Sequence, residues 1–255
     1  MKQRPSFPAR LANPPVPTGK AVRLSSPPPP SRGAPGLAES GFTAHRRTMV
    51  AKLRRQGLAD TQVAMALEQV ARHRFVDSAL RGQAYEDTSL PIGLGQTISK
   101  PGVVARMLEL LRNGRPDKLG RVLEIGTGCG YQAAVLSLLA SEVYSIERLR
   151  VLHDKARANL RELRLANVHL LFGDGMAGFA KGAPYAGIIS AAGGASVPTA
   201  WTDQLAIGGR LVAPTELPPG NGRGQTLVVI ERTSTGLRQQ ICEAVLFVPL
   251  KSGVA

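Results

Sequence analysis

The chain predicts an α/β fold, a doubly wound and mostly parallel sheet with helices on both faces, and three observations carry that prediction. After residue 120, short apolar stretches of strand length alternate with amphipathic stretches of helix length. A glycine-rich segment joins the first of those strands to the helix behind it. Acidic residues then stand at the ends of three successive strands, which is where open α/β sheets bind ligands.

Taken in order, residues 1–40 hold ten of the nineteen prolines, among them Pro27, Pro28, Pro29 and Pro30. Six basic residues (Lys2, Arg4, Arg10, Lys20, Arg23 and Arg32) face Glu39 alone, so +5 of the net +14 sits here and +9 remains on the rest. Such proline density opposes helices and central strands, and the apolar content is too low to fold. Residues 1–42 are therefore assigned to a disordered, Pro-rich basic tail and residues 43–255 to a folded domain. A secretory leader needs an apolar core that is missing here, and an organelle transit peptide needs an amphipathic helix that these prolines oppose.

From residue 43 the pattern turns helical. Met49 and Leu53, with Val50 beside them, face one way among Arg46, Arg47, Lys52, Arg54 and Arg55. Asp60 is placed to cap a second helix carrying Val63, Leu67 and Val70 at helical spacing, and a third helix is expected from about Pro101. Arg121–Ile125, Glu142–Ile146, Val168–Phe172 and Gly187–Ser190 read as strands, with helices over Tyr131–Ala140 and Arg148–Leu163 between the first three. Trp201–Ala206 reads as a helix and Gly209–Ala213 as a strand. Thr226–Arg232 and Ile241–Val248 read as a C-terminal antiparallel pair.

Composition narrows the function classes. The 43% hydrophobic share and mean hydropathy of −0.03 suit a soluble core, and no run approaches the roughly 18 apolar residues that a membrane-spanning helix needs. Cys129 and Cys242 stand far apart without C-x-x-C or Cys/His spacing, so neither a disulfide framework nor a metal site is expected, and a reducing, cytoplasmic compartment fits. A pI near 10.7 favours polyanionic partners only where charge gathers on one face; the Arg-rich first helix reads more simply as a solvated face.

The segment Val122-Leu-Glu-Ile-Gly-Thr-Gly-Cys-Gly-Tyr131 sets Gly126, Gly128 and Gly130 between strand and helix. Its spacing is G-x-G-x-G rather than the dinucleotide G-x-G-x-x-G, and Glu124 two positions earlier would repel a pyrophosphate but attract a cationic, amino-acid-like ligand. Glu147, twenty-one residues after Gly126, is placed to accept ribose hydroxyls, and Asp174-Gly175 to meet the adenine amine. Together these resemble the S-adenosylmethionine site of the Rossmann-like methyltransferases.

Upstream lie Arg74-Phe75-Val76, Ala84-Tyr-Glu-Asp and Leu90-Pro-Ile-Gly-Leu-Gly-Gln-Thr-Ile-Ser99. At these residues, and at Gly173-Asp-Gly and Phe247-Val-Pro-Leu, the chain resembles the protein-L-isoaspartate O-methyltransferase family over roughly residues 45–252. The resemblance implies transfer of a methyl group from S-adenosyl-L-methionine to the α-carboxylate of isoaspartyl residues in aged proteins. It places Ser99 in the active site, with Gln96, Thr97 and Ile98 shaping it. A carboxylate acceptor is ionised at neutral pH, so no general base is required. His45, His73, His153 and His169 accordingly show no triad or ligand pattern.

Five positions depart from the family's usual run. Ala186 stands where an aspartate is usual; Gly102 is expected to widen the pocket; Gly193-Gly194 implies a mobile loop; and Cys129 reads as a small apolar filler. The competing readings are a nucleic-acid methyltransferase, whose usual motifs are missing after the fourth strand, and a non-catalytic polyanion-binding relative. The partners expected are isoaspartyl proteins and peptides rather than membranes or nucleic acid, and a monomer is the default.

Overall fold

In the computed structural model, residues 39–217 and 224–255 are described, and most of the expected tail lies outside them. Helix α1 (Glu39–Arg55) begins four residues before the boundary read from composition. Phe42 is the reason: it is buried and its ring stacks on His73 at 4.0 Å, which ties the first turn to the domain. Helix α2 (Thr61–Gln69) starts at Asp60, whose Oδ1 accepts from the backbone N–H of Gln62 and Val63 as expected of an N-cap. The other oxygen of Asp60 receives Arg112 Nε at 2.9 Å, with both side chains buried, so one carboxylate caps α2 and binds it to α3 (Pro101–Arg112).

Between these helices lies a hairpin absent from the sequence reading. Strands β1 (Leu90–Gly93) and β2 (Gln96–Ile98) pair antiparallel across a tip in which Gly93, Leu94 and Gly95 all take positive φ. Gln96, Thr97 and Ile98 are therefore strand residues rather than a turn before α3.

The main sheet follows the expected alternation with longer strands. In chain order come β3 (Leu119–Ile125), α4 (Tyr131–Leu139), β4 (Ala140–Glu147), α5 (Arg150–Arg161), β5 (Val168–Phe172), β6 (Tyr185–Ser190), α6 (Thr199–Asp203), β7 (Leu205–Glu216), β8 (Gln225–Thr233) and β9 (Gly236–Val245). Their spatial order is β5-β4-β3-β6-β7-β8-β9, parallel through β7 and antiparallel for the last two pairs. Successive strand residues divide between two cores. Val122, Ile189, Val212 and Val229 join the core shared with α1 to α5, while Leu123, Ile188, Leu211 and Val228 join the one closed by Trp201 of α6. Burial on both faces explains why these strands read as continuous apolar runs.

Strand β9 starts five residues earlier than expected and ends before Phe247. It is an edge strand whose early residues are exposed and, apart from Leu237, carry no apolar side chain, so hydrophobic patterning marks only its later half. The chain returns from β5 to pair β6 on the other side of β3, and this switch opens a crevice at the carboxyl ends of β3, β4 and β6.

Candidate active site

The glycine loop after β3 is shaped from within. Gly126 and Gly128 have φ of 88° and 56°, a region side chains rarely enter, and a Cβ on Gly128 would lie 3.2 Å from Ile92 of the hairpin. The N–H groups of Gly126 and Thr127 donate to the Ile146 carbonyl, that of Gly130 donates to Thr127 O, and that of Gly128 donates to Glu147 Oε2 at 2.9 Å. Loop amides spent on protein acceptors, one of them a carboxylate, do not form a phosphate cradle. Gly130 lies off the crevice, capping α4 against Leu160 of α5.

Glu147 ends β4 at 5% exposure and lines the crevice, its second oxygen accepting from Leu149 N–H at 2.9 Å. Two bonds leave lone pairs on both oxygens for a ligand's hydroxyls. Gly175 also lines the crevice. A Cβ there would meet Ile125 Cγ2 at 2.6 Å, and its carbonyl accepts from Trp201 Nε1 at 2.8 Å.

Two expected acids are placed differently. Glu124 is fully buried behind the loop rather than on the crevice wall; the Ser145 hydroxyl donates to its Oε2, and Oε1 has no hydrogen-bond partner among the described residues. Burial lifts its carboxyl from 4.5 to about 8, so it is largely uncharged at neutral pH, not the standing anion that sequence spacing implied. Gln132 lies close by, and its Nε2 is likewise buried without a partner. Asp174 stands behind Gly175, one oxygen accepting from Met176 N–H at 2.8 Å and the other from Gly253 N–H at 2.6 Å. It ties down the C-terminal segment, whose Val248, Pro249, Leu250, Lys251 and Ala255 form a wall of the crevice; the Phe247-Val-Pro-Leu motif marks the segment in the sequence but not its place on that wall.

The crevice encloses about 490 Å³ between these groups and Ile92, Leu94, Gln96 and Thr97 of the hairpin. Ser99 lies outside it, at the junction of two further spaces. One is a groove of about 570 Å³ between the start of α3 and the end of β9. The other is a narrow cavity of about 40 Å³, lined also by Thr97, Ile98, Gly126, Gly128 and Cys129, which abuts the crevice through shared walls. Of the residues the sequence marks for the site, Gln96, Thr97, Ile98, Ser99, Gly126, Gly128, Glu147 and Gly175 thus border this chain of cavities.

The structure around Ser99 and after β6 corrects two details, the roles of Gly102 and of the Gly193-Gly194 loop. The start of α3 has no free amide for a ligand, because Pro101 has none and Gly102 N–H donates to Asp87 Oδ1 at 2.8 Å. Gly102 does not simply widen the pocket, since a Cβ there would sit 3.0 Å from that same carboxylate. The Gly193-Gly194 loop is pinned rather than loose. Gly193 exchanges backbone bonds with Val248 and Leu250, Gly194 O accepts from Glu216, and a Cβ on Gly193 would strike Gln225 at 2.5 Å. Cys129 is buried, as its filler role requires.

The model of the family described as protein-L-isoaspartate(D-aspartate) O-methyltransferase matches residues 44–255. The chain belongs to the protein-L-isoaspartate O-methyltransferase family. It is 54% identical to the protein-L-isoaspartate O-methyltransferase of Leptothrix cholodnii over 94% of this chain and 89% of that one. It is 57% identical to that of Methylibium petroleiphilum over 84% and 80%. A solved protein-L-isoaspartate O-methyltransferase superposes with a TM-score of 0.73 at 29% identity, covering 82% of this chain and 67% of that one. A second, from Plasmodium falciparum and in complex with S-adenosyl-L-homocysteine, shares the fold with a TM-score of 0.70 at 24% identity over 81% and 98%. The family's activity is methyl esterification of isoaspartyl carboxyls, and this chain is an enzyme of that family. Among the described residues no helix is long and apolar enough to cross a membrane.

Proposed function

We propose that S-adenosyl-L-methionine occupies the crevice and that the isoaspartyl α-carboxylate enters through the groove to meet it at Ser99. The observation that carries this reading is the position of Ser99, which alone among the described residues borders both the groove and the narrow cavity abutting the crevice. Glu147 offers acceptors to ribose hydroxyls, and Ile125, Ile146 and Leu149 offer apolar walls to the adenine. Nε2 of Gln132, which borders the narrow cavity and has no partner among the described residues, is a donor for the amino-acid end.

The bound cofactor supplies a methyl group on a sulfonium centre. The chain's own task is alignment. A carboxylate with an ordinary pKa near 4 is already a nucleophile at neutral pH, so the described residues need hold no base beside it. Ser99 orients the acceptor oxygen, the hairpin and C-terminal segment exclude water, and such positioning is worth about 7–11 kcal/mol of barrier. Isoaspartyl peptides and proteins are the partners. The unpaired Cys129 and Cys242 suit a reducing cytoplasm, and we take the active unit to be a monomer.

Ser99→Ala tests the reading. A fall in kcat/KM of at least about tenfold on an isoaspartyl peptide, with cofactor affinity retained, is expected when one hydrogen bond to a charged group is lost. Unchanged turnover removes Ser99 from the mechanism.

A further inference from the structure

Behind Ser99 lies a charge that the reaction as described does not use. Arg72, in the turn after α2, is fully buried; among the described residues the groups that act most on its charge are Tyr131, Cys129 and Tyr85, none of them a carboxylate. Its guanidinium is held at two of three nitrogens: Nε donates to Ala84 O and Nη2 to Ser99 O, both at 2.8 Å. Nη1 is buried without a hydrogen-bond partner among the described residues, as is the hydroxyl of Tyr131. The guanidinium stacks 4.9 Å from the Tyr131 ring centroid, and Tyr131 and Ser99 line the same narrow cavity. Arg72 is thus bonded to one wall residue of that cavity and stacked on another.

A buried cation without a counter-charge is costly, and burial accordingly pulls its pKa down. The cost is offset when an anion arrives nearby, because a charge pair interacts strongly where water is excluded. A methyl ester, being neutral, loses that attraction and is released more readily than the acid.

We infer that Arg72 is a positioning residue and the buried counter-charge for the acceptor carboxylate, fixing the Ser99 backbone while favouring an anion over a neutral group in the Ser99 cavity. The inference rests on the reading of Ser99 as the carboxylate site.

The competing role is a staple between the turn after α2 and the Ser99 segment, and charge discrimination separates the two. Inhibition constants are measured for an isoaspartyl peptide and its α-carboxamide on wild type, Arg72→Gln and Arg72→Lys, with S-adenosylhomocysteine affinity as the folding control. The expected result is that Arg72→Gln lowers the preference for acid over amide at least tenfold and keeps cofactor-site affinity within threefold. Arg72→Lys, which keeps the charge but not the fork, retains the preference while kcat falls. An unchanged preference in Arg72→Gln overturns the proposal, and so does loss of S-adenosylhomocysteine binding in both variants, which assigns Arg72 to folding. If the wild type fails to methylate the isoaspartyl peptide, the underlying reading fails and the role of Arg72 falls with it.

Discussion

Replacing Glu124 by Gln isolates one buried carboxyl and predicts a measurable change in how stability depends on pH. Glu124 has no exposed surface, and burial raises its pKa from 4.5 to about 8. In the unfolded chain the group ionises at its ordinary pKa, so between about pH 4.5 and 8 the folded protein holds a proton that the unfolded one has lost. The ligand-free protein therefore loses stability as pH rises through that window. The loss is about 3 kcal/mol by pH 7 and about 5 kcal/mol above pH 8, at 1.36 kcal/mol for each pH unit. Glu124→Gln mimics the protonated form and removes this slope. Urea unfolding of both proteins without cofactor, from pH 5 to 9, reads it directly. The wild type should weaken relative to the variant by a few kcal/mol across the range, whereas parallel profiles would refute the argument that burial holds the group neutral.

Two further outcomes follow from the crevice. Glu147→Gln sets an amide donor against either Gly128 N–H or Leu149 N–H, and a buried donor left unpaired costs about 1–3 kcal/mol. Cofactor affinity measured by calorimetry should fall about ten- to a hundredfold. Gly175→Ala forces a methyl to within 2.6 Å of Ile125 Cγ2, and overpacking of this kind costs about 1–3 kcal/mol. Its thermal midpoint should drop and its cofactor affinity weaken together, since Ile125 and Gly175 both line the crevice.

Much of the sheet was legible because period-2 and continuous apolar runs report burial directly. Val168–Phe172 matched β5 at both ends, and Asp60 capped α2 as its position implied. What escaped was set by contacts across the chain. The β1–β2 hairpin is too short for periodicity, though Gly93-Leu94-Gly95 held its signal in the two glycines of the tip. Glu124 was seen as a residue but not as a neutral one, because its charge state depends on burial that spacing does not encode. Asp174 was assigned outward, whereas Gly253 and Met176 claim its oxygens. Gly102 reads as a wider pocket and Gly193 as freedom of motion, and both are close approaches, to Asp87 and to Gln225. Arg72 lies two residues before the Arg74-Phe75-Val76 motif and gains its meaning only from the Ser99 carbonyl, 27 residues away.

The central claim is that the Ser99 junction delivers a misplaced α-carboxylate to the cofactor crevice. Transfer of a labelled methyl group from S-adenosylmethionine to two peptides of identical sequence, one with an isoaspartyl and one with a normal aspartyl residue, tests it most directly. The account predicts base-labile ester on the isoaspartyl peptide and none above background on its aspartyl counterpart. Equal labelling of both, or of neither, would contradict it.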